Sequence, residues 1–428
     1  MSKSRLQPPR GTRDFYPEDL RRRDWLFGHF RAVARRFGFE EVDAPILEHE
    51  GLFTRKAGEE ILEQLYRFEL HDRRLALRPE MTPSIARMVI ARAGSLRLPL
   101  RWFTVTQNWR YERMTRGRKR EHYQWNMDIW GEPAVTAEAE LIAAVFALLD
   151  AVGLARPDVR VRISSRALLE ETLVQGTVLR DRPEAFPALC VAIDKFERIG
   201  EDGVRELLTD PDGSVGIGEA DASFVVSWLG LRKLEDSAEH VPAGSPAYAD
   251  LRRLFELLDA YGLADRVVFD ASIVRGLAYY TGIVFEAFDA ARSLRALCGG
   301  GRYDRLLESL GGPSIPAVGF GFGDVVILEL LSDRERLPEC PRRLDAVVFA
   351  LGEAERPSAI RIATALRRER NWSVELVLGA SRLKRVLADA DRAGARFLYL
   401  LGPEETARGE VLVRDLESGE QTTEPISD

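Results

Sequence analysis

The segment SIVRGLAYYTGIVFEAF, residues 272–288, sets a cation and two phenols into a run otherwise suited to a strand. Val274, Tyr279, Tyr280, Ile283, Val284, Phe285 and Phe288 are β-branched or aromatic, the types that fit a pleated surface. Arg275 stands beside Gly276, and a glycine lets the cation approach a bound molecule without backbone crowding. In a regular strand Tyr279 and Tyr280 point to opposite faces, so one of them at most faces a pocket unless the chain bulges. An edge arginine and two core tyrosines would account for the pattern without any ligand.

Two further constellations carry related chemistry. In HYQWNMDIWG, strand alternation puts Gln124, Asn126 and Asp128 on one face and Tyr123, Trp125, Met127 and Ile129 on the other. Gln124 and Asp128 are then roughly 13 Å apart along the strand, a span that can bracket a small bipolar molecule. Arg110 ends the preceding strand-like run, and a guanidinium there can hold a carboxylate or phosphate through two hydrogen bonds. The turn between the runs gathers Arg113, Arg116, Arg118, Lys119 and Arg120 against one acid, Glu121. A positive tip of this kind suits phosphates, although a solvated hairpin tip would look the same. In LRPEMTPSIARM, Thr82 and Pro83 read as an N-cap and a first-turn proline. The chemical reading of the same residues sets Glu80 against an ammonium group with Thr82 beside it. CGGGRYDRLL and VGFGFG add repeated glycines, which weaken strands and so suggest close approach of a ligand. VGFGFG precedes no helix capped for a pyrophosphate, and a dinucleotide fingerprint is rejected.

The elements that must position these residues follow from periodicity. RRRDWLFGHFRAVARRFG is an amphipathic helix that Gly38 can end, and FEEVDAPILE is a strand that Pro45 confines to an edge. LRWFTVTQNWRYER and HYQWNMDIWG form a long β-hairpin, followed by the helix TAEAELIAAVFALLDAVG. The expected organisation is a catalytic core in two parts, residues 1–165 and 263–332, around a mostly helical insertion at 166–262. A linker at 333–343 leads to an α/β module at 344–428, where strand and helix patterns alternate.

Composition narrows the function. The chain of 428 residues suits two or three domains, and its net charge of -7 excludes a basic nucleic-acid coat. A nucleic-acid site would be a local positive patch. Cys190, Cys298 and Cys340 are isolated, which fits a reducing compartment, and the five scattered histidines do not suggest a metal site. No signal-peptide core or membrane-length apolar run is seen, so a cytoplasmic protein is expected.

Together the motifs resemble those of histidyl-tRNA synthetases, a class II aminoacyl-tRNA synthetase family. RGTRDFYPEDL with the following helix and FEEVDAPILE is similar to the family's first motif, and WRYERMTRGRKREHYQWNMDIWG to its second. IVRGLAYYTGIVFE and CGGGRYDRLL resemble the two histidine-specific motifs, and GARFLYLLGPEETARGEVLVRDLESGEQ the anticodon-binding domain. The resemblance implies an α+β fold, an antiparallel sheet flanked by helices, with a C-terminal α/β anticodon-binding domain. It implies ATP-dependent activation of L-histidine to histidyl-adenylate and transfer of the histidyl group to tRNA(His), by a homodimer using Mg2+ with its ATP. In its terms Arg110 and Arg275 are catalytic. Glu80, Met81, Thr82, Gln124, Asp128, Tyr279 and Tyr280 bind histidine together with both arginines. Asp128 and Tyr280 would meet the imidazole, while Glu80, Thr82 and Gln124 would hold the α-amino group. Arg110, Glu112 and Arg118 would bind ATP, and Arg113, Arg116, Lys119 and Arg120 would contact the tRNA acceptor end. No editing domain is expected, because polar recognition can reject analogues by about 10⁴–10⁵.

Two positions depart from the family pattern. Val326 stands where the third motif usually carries an ATP-facing arginine, which Arg118 or Arg302 would then have to replace. Ala278 stands where an aspartate is common. The alternative reading is the synthetase-like regulatory subunit of ATP phosphoribosyltransferase, which charges no tRNA and normally lacks the C-terminal module.

Overall fold

A computed structural model describes residues 6–54, 59–154, 158–174, 177–274, 279–291 and 294–426. They fall into two compact units, one built on Arg23–Leu337 and one on Phe15–Arg22 with Pro338 onward.

The strands, in chain order, are β1 (Glu40–Glu41), β2 (Leu47–His49), β3 (Arg67–Leu70), β4 (Arg73–Leu77), β5 (Leu100–Trp109) and β6 (Glu121–Trp130). They continue with β7 (Val159–Ser165), β8 (Val267–Phe269), β9 (Ile283–Asp289), β10 (Cys298–Arg302) and β11 (Ala317–Gly323). The second unit holds β12 (Leu344–Ala350), β13 (Val374–Leu376), β14 (Ala395–Leu401), β15 (Glu410–Asp415) and β16 (Gln421–Pro425).

The first unit is organised by an eight-stranded sheet in the order β1-β5-β6-β11-β10-β9-β7-β8. Its inner pairings are antiparallel, and only the outermost pairs, β1 with β5 and β7 with β8, are parallel. The expected hairpin is β5–β6, in register from Leu100 opposite Trp130 to Trp109 opposite Glu121. Its alternation separates two cores. Trp125, Met127 and Ile129 face a core closed by the helices Pro17–Arg36 and Thr136–Ala151, where Phe30 stacks on Trp125 with ring centroids 5.2 Å apart. On the other face Trp130 joins Met81, Ile85, Tyr280, Tyr303 and Leu307 in a smaller core under the helix Thr82–Arg92. Gln124, Asn126 and Asp128 share that second face with Trp130, so a polar row runs beside an apolar one.

Two local expectations change. FEEVDAPILE is not one strand: Glu40–Glu41 pairs with β5 at the sheet edge, while Leu47–His49 joins the separate sheet β2-β4-β3. Pro45, which has no N–H to donate, lies between the two pieces. Thr82 is not the cap of its helix but its first residue. Met81 holds the cap position without a side-chain bond, and its carbonyl accepts from the amides of Ser84 and Ile85. Gly38 follows the first helix at φ +77°, the left-handed conformation that ends helices.

The described part of 166–262 is helical apart from its loops, with helices Phe186–Asp194, Phe196–Thr209, Glu219–Leu229 and Pro246–Ala260. The second unit is an α/β module with sheet order β13-β12-β14-β15-β16 and parallel pairing of β12 with both β13 and β14. The expected C-terminal hairpin is β15–β16.

One buried ion pair ties the sheet to the helix behind it. Arg302, at the end of β10, donates to both carboxylate oxygens of Glu138 at 2.6 Å and also to the carbonyls of Glu132 and Ala134. Removing one partner leaves the other charged and unpaired in a dry setting. Arg302→Ala should cost about 3–5 kcal/mol of stability, read as a fall in the urea midpoint of the first unit. An unshifted midpoint would show that the pair carries no such weight.

Candidate active site

A cavity of about 620 Å³ opens on the polar face of the sheet. Its floor is made possible by glycines. Gly319 pairs with Asp128, Gly321 with Asn126 and Gly323 with Gln124 across β11 and β6. A Cβ at Gly319 would collide with the Asp128 carboxylate and the Tyr303 hydroxyl, and one at Gly321 with the Gln124 amide. Side chains from neighbouring elements therefore lie flat across β11 where its own are missing.

At one end of the cavity the aromatic residues Tyr279, Tyr280 and Tyr303 form a cluster, with ring centroids 5.1–6.2 Å apart. The Tyr303 hydroxyl donates to Asp128 Oδ1. Asp128 Oδ2 is buried with no hydrogen-bond partner among the described residues. Burial pushes the Asp128 carboxyl up to about 7, against the lowering effect of the Tyr303 bond, and Glu80 adds to the rise. Burial, reinforced by Asp128, holds the Tyr303 phenol well above its ordinary range. Tyr279 donates to Glu80 Oε2 at 3.0 Å, and Arg110 Nη2 stands 4.0 Å from the same oxygen. The Nε of Arg110 is fixed by the Pro79 carbonyl at 2.9 Å. An acceptor, phenols, a carboxylate and a guanidinium thus converge on one space.

The rest of the lining mixes cations with the acids Asp194, Glu197 and Glu286. Arg118 pairs with Glu112, and Lys119, Arg295 and the half-buried His122 also line the wall. Burial, together with the charges of Arg110, Arg13 and Arg118, lowers His122 to about 3. Its imidazole is therefore neutral at any physiological pH. Val325 and Val326 complete this end, and neither brings charge.

Glu80, Thr82, Arg110, Glu112, Arg118, Lys119, Gln124, Tyr279 and Tyr280 all line this one cavity. Met81 is fully buried behind it, and Asp128, 1% exposed, lies behind the Tyr303 hydroxyl. Arg275 falls outside the described residues. Arg113 and Arg120 border a neighbouring concavity with Arg10 and Tyr111, where the Arg120 guanidinium sits 3.7 Å from the centre of the Tyr111 ring. Arg116 is bound by Glu329 and Asp333, so this part of the tip is neutralised rather than open.

Three readings from sequence need correction or extension. Tyr279 and Tyr280 precede β9 rather than lie within it, so strand alternation does not govern them and both reach the cavity. Arg302 does not replace the missing arginine, because Glu138 and the carbonyls of Glu132 and Ala134 hold it outside the cavity lining. Tyr303 and His122 were not singled out. Tyr303 directly follows the glycine run and Arg302 in CGGGRYDRLL, but its partner Asp128 is 175 positions away, which no local pattern reveals.

Comparison with known proteins matches residues 11–323 to the histidyl-tRNA synthetase family and residues 345–428 to an anticodon binding domain. A histidine–tRNA ligase of Arabidopsis thaliana, described as chloroplastic/mitochondrial, is 50% identical over 99% of this chain and 86% of its own length. The fold is similar to the crystal structure of histidyl-tRNA synthetase from Nostoc sp. PCC 7120, with TM-score 0.77, 23% identity and coverage of 99% and 97% of the two chains. It is also similar to an ATP phosphoribosyltransferase regulatory subunit/histidyl-tRNA synthetase from Bacillus halodurans, with TM-score 0.73, 24% identity and coverage of 90% and 97%.

The raised Asp128 carboxyl has a measurable consequence. In the unfolded chain it titrates at ~3.9, so between that pH and about 7 the folded state binds the extra proton. Its contribution is greatest at low pH and is lost as pH climbs towards about 7. Asp128→Asn lacks this dependence. The stability of the variant relative to the parent should rise by on the order of 2 kcal/mol between pH 5 and 8, measured by denaturant titration. A pH-independent difference would contradict the assignment.

Proposed function

The chain belongs to the histidyl-tRNA synthetase family, and we propose that it activates L-histidine with ATP and transfers the histidyl group to tRNA(His). The observation that carries this reading is the meeting, in one cavity, of a buried carboxylate–phenol acceptor end and an arginine-rich end. The match of residues 345–428 to an anticodon binding domain favours tRNA charging over the regulatory-subunit alternative.

In the first step the histidine carboxylate attacks the α-phosphorus of ATP and pyrophosphate leaves. Two anions must meet, so the barrier contains a repulsion that fixed cations offset, most strongly at the pentacoordinate transition state. Arg110 is assigned this role: it lines the cavity and is anchored through its Nε, with Nη2 4.0 Å from Glu80. Arg275 is assigned as a second cation at the reacting centre. Glu80, Thr82 and Gln124 take the α-amino group. The imidazole lies among Tyr279, Tyr280 and Tyr303, with Asp128 as the ultimate acceptor, because its free oxygen and the Tyr303 hydroxyl can answer an N–H donor. Glu112 and Arg118 serve ATP, and Mg2+ arrives with ATP, bound mainly through phosphate oxygens and water. In the second step the terminal ribose hydroxyl of the tRNA attacks the adenylate carbonyl and AMP leaves. Arg113, Lys119 and Arg120 are assigned to the acceptor end. Arg116 joins them only if its carboxylate partners release it.

We assign residues 1–165 and 263–332 to the catalytic core, 166–262 to an insertion, 333–343 to a linker and 344–428 to anticodon binding. We place the protein in the cytoplasm, where three isolated thiols suit a reducing setting. No helix among the described residues is long and apolar enough to cross a membrane. A homodimer is supported by apolar side chains presented around the small sheet: Ile46, Leu47, Phe68 and Leu70 are each 42–51% exposed.

The decisive experiment is exchange of pyrophosphate into ATP with each amino acid in turn. Histidine alone should support it. Arg110→Ala and Arg275→Ala should each lower the rate at least about 100-fold while the far-ultraviolet dichroism stays unchanged. Tyr303→Phe should raise the KM for histidine about 10-fold or more, with the KM for ATP unmoved. Exchange with no amino acid, or with one other than histidine, overturns the reading. For the assembly, Phe68→Asp should halve the mass seen by sedimentation equilibrium, and an unchanged mass would place any dimer interface elsewhere.

A further inference from the structure

Val326 leaves the ATP end of the cavity without the cation usually supplied from the helix Asp324–Asp333. We propose that Arg295 supplies it, from the connection between β9 and β10, and that it binds the outer phosphates of ATP. This inference rests on the synthetase reading above.

The geometry fixes the connection close to the helix start. Leu297 N–H donates to the Ala287 carbonyl at 2.8 Å, and Leu294 N–H to Asp289 Oδ2 at 3.0 Å. The Leu297 carbonyl in turn accepts from Gly323 N–H at 3.2 Å, which extends the β10–β11 ladder one rung beyond Cys298 opposite Phe322. That bond holds the segment carrying Arg295 against Gly323, the residue from which the helix bearing Val325 and Val326 starts. Leu294 and Leu297 are buried, 9% and 1% exposed, and anchor the segment on either side while Arg295 itself is exposed. Arg295, Val325 and Val326 line the same cavity.

Charge pairing sets the residue apart from the other arginines of this region. Arg118 is committed to Glu112, Arg116 to Glu329 and Asp333, and Arg302 to Glu138. Among the described residues Arg295 has no ion-pair partner. A guanidinium of this kind on a pinned loop can bind a polyphosphate through two hydrogen bonds and loses little existing interaction in doing so. Two adjacent valines, Val325 and Val326, leave the wall beside it uncharged.

The test is titration calorimetry of the full chain with ATP and separately with AMP, for the parent, Arg295→Ala and Arg295→Lys. Arg295→Ala should weaken ATP about 10- to 100-fold and leave AMP within about twofold, since AMP has no outer phosphates. Arg295→Lys, which keeps the charge but not the fork, should fall between. Unchanged ATP affinity in Arg295→Ala overturns the proposal, and so does an equal loss for AMP. Circular dichroism of both variants shows whether the fold is kept, and if Arg295→Ala does not fold, Arg295→Lys decides alone by the same criterion. Histidine-dependent exchange by the parent is the separate control. Its absence would sink the synthetase reading, while the ATP and AMP titrations still judge Arg295.

Discussion

The site exists because two adjacent strands give up their side chains. β6 carries Gln124, Asn126 and Asp128 towards the cavity, and β11 answers with Gly323, Gly321 and Gly319. Gly301 of β10, paired with Gly319, continues the gap, with no room for a Cβ against Tyr280, Val284 or the Ile283 carbonyl. Isolated glycines weaken a sheet, and here the weakness is offset because polar and aromatic groups from other strands fill the vacated layer. Three elements distant in sequence thereby reach one plane: the hairpin strand, the Tyr279–Tyr280 segment, and Tyr303 after β10.

That plane then sorts its charges by solvation. Deep in it, burial dominates. Asp128 is pushed up to about 7 and Tyr303 well above its usual range, so the pair favours sharing a proton over ionising twice. Towards the mouth, pairing dominates. Arg118 lies against Glu112 and Arg110 near Glu80, beside a His122 that burial and its arginine neighbours keep neutral. A neutral imidazole beside several guanidiniums adds no repulsion to a cationic wall and can still donate or accept one hydrogen bond. The two ends differ in physics as well as in composition, which suits a reaction whose recognised group is polar and nearly neutral and whose reacting groups are anionic.

Much of this was legible from local pattern. The two-residue period of HYQWNMDIWG was enough to separate a polar row from an aromatic one, because a half-buried hairpin enforces alternation. The glycine runs announced close approach. What local pattern could not carry was partnership across the chain. Tyr303 and Asp128 meet over 175 positions, and the Glu138 that claims Arg302 lies 164 positions from it. Alternation also misled where the strand had not begun: Tyr279 and Tyr280 precede Ile283, so a strand rule assigned them to opposite faces. Thr82 has good capping chemistry, but the helix starts one residue early around Met81, since a Thr-Pro pair is equally at home inside the first turn.

The Val326 departure shows how a cationic requirement can be met without a cationic residue at the usual place. The end of β11 and the connection before β10 are one hydrogen-bond rung apart at Leu297 and Gly323. A guanidinium on either side of that rung reaches the same volume, because an arginine side chain spans more than the roughly 4.8 Å between paired strands. A residue on the helix would have to displace the buried Val326, which packs in the main core and faces Gly117 at 3.4 Å from that glycine's Cβ position. A residue on the connection displaces nothing. The sheet thus allows the charge to move from helix to loop while its position relative to the floor is kept, and the helix face is free to serve the core.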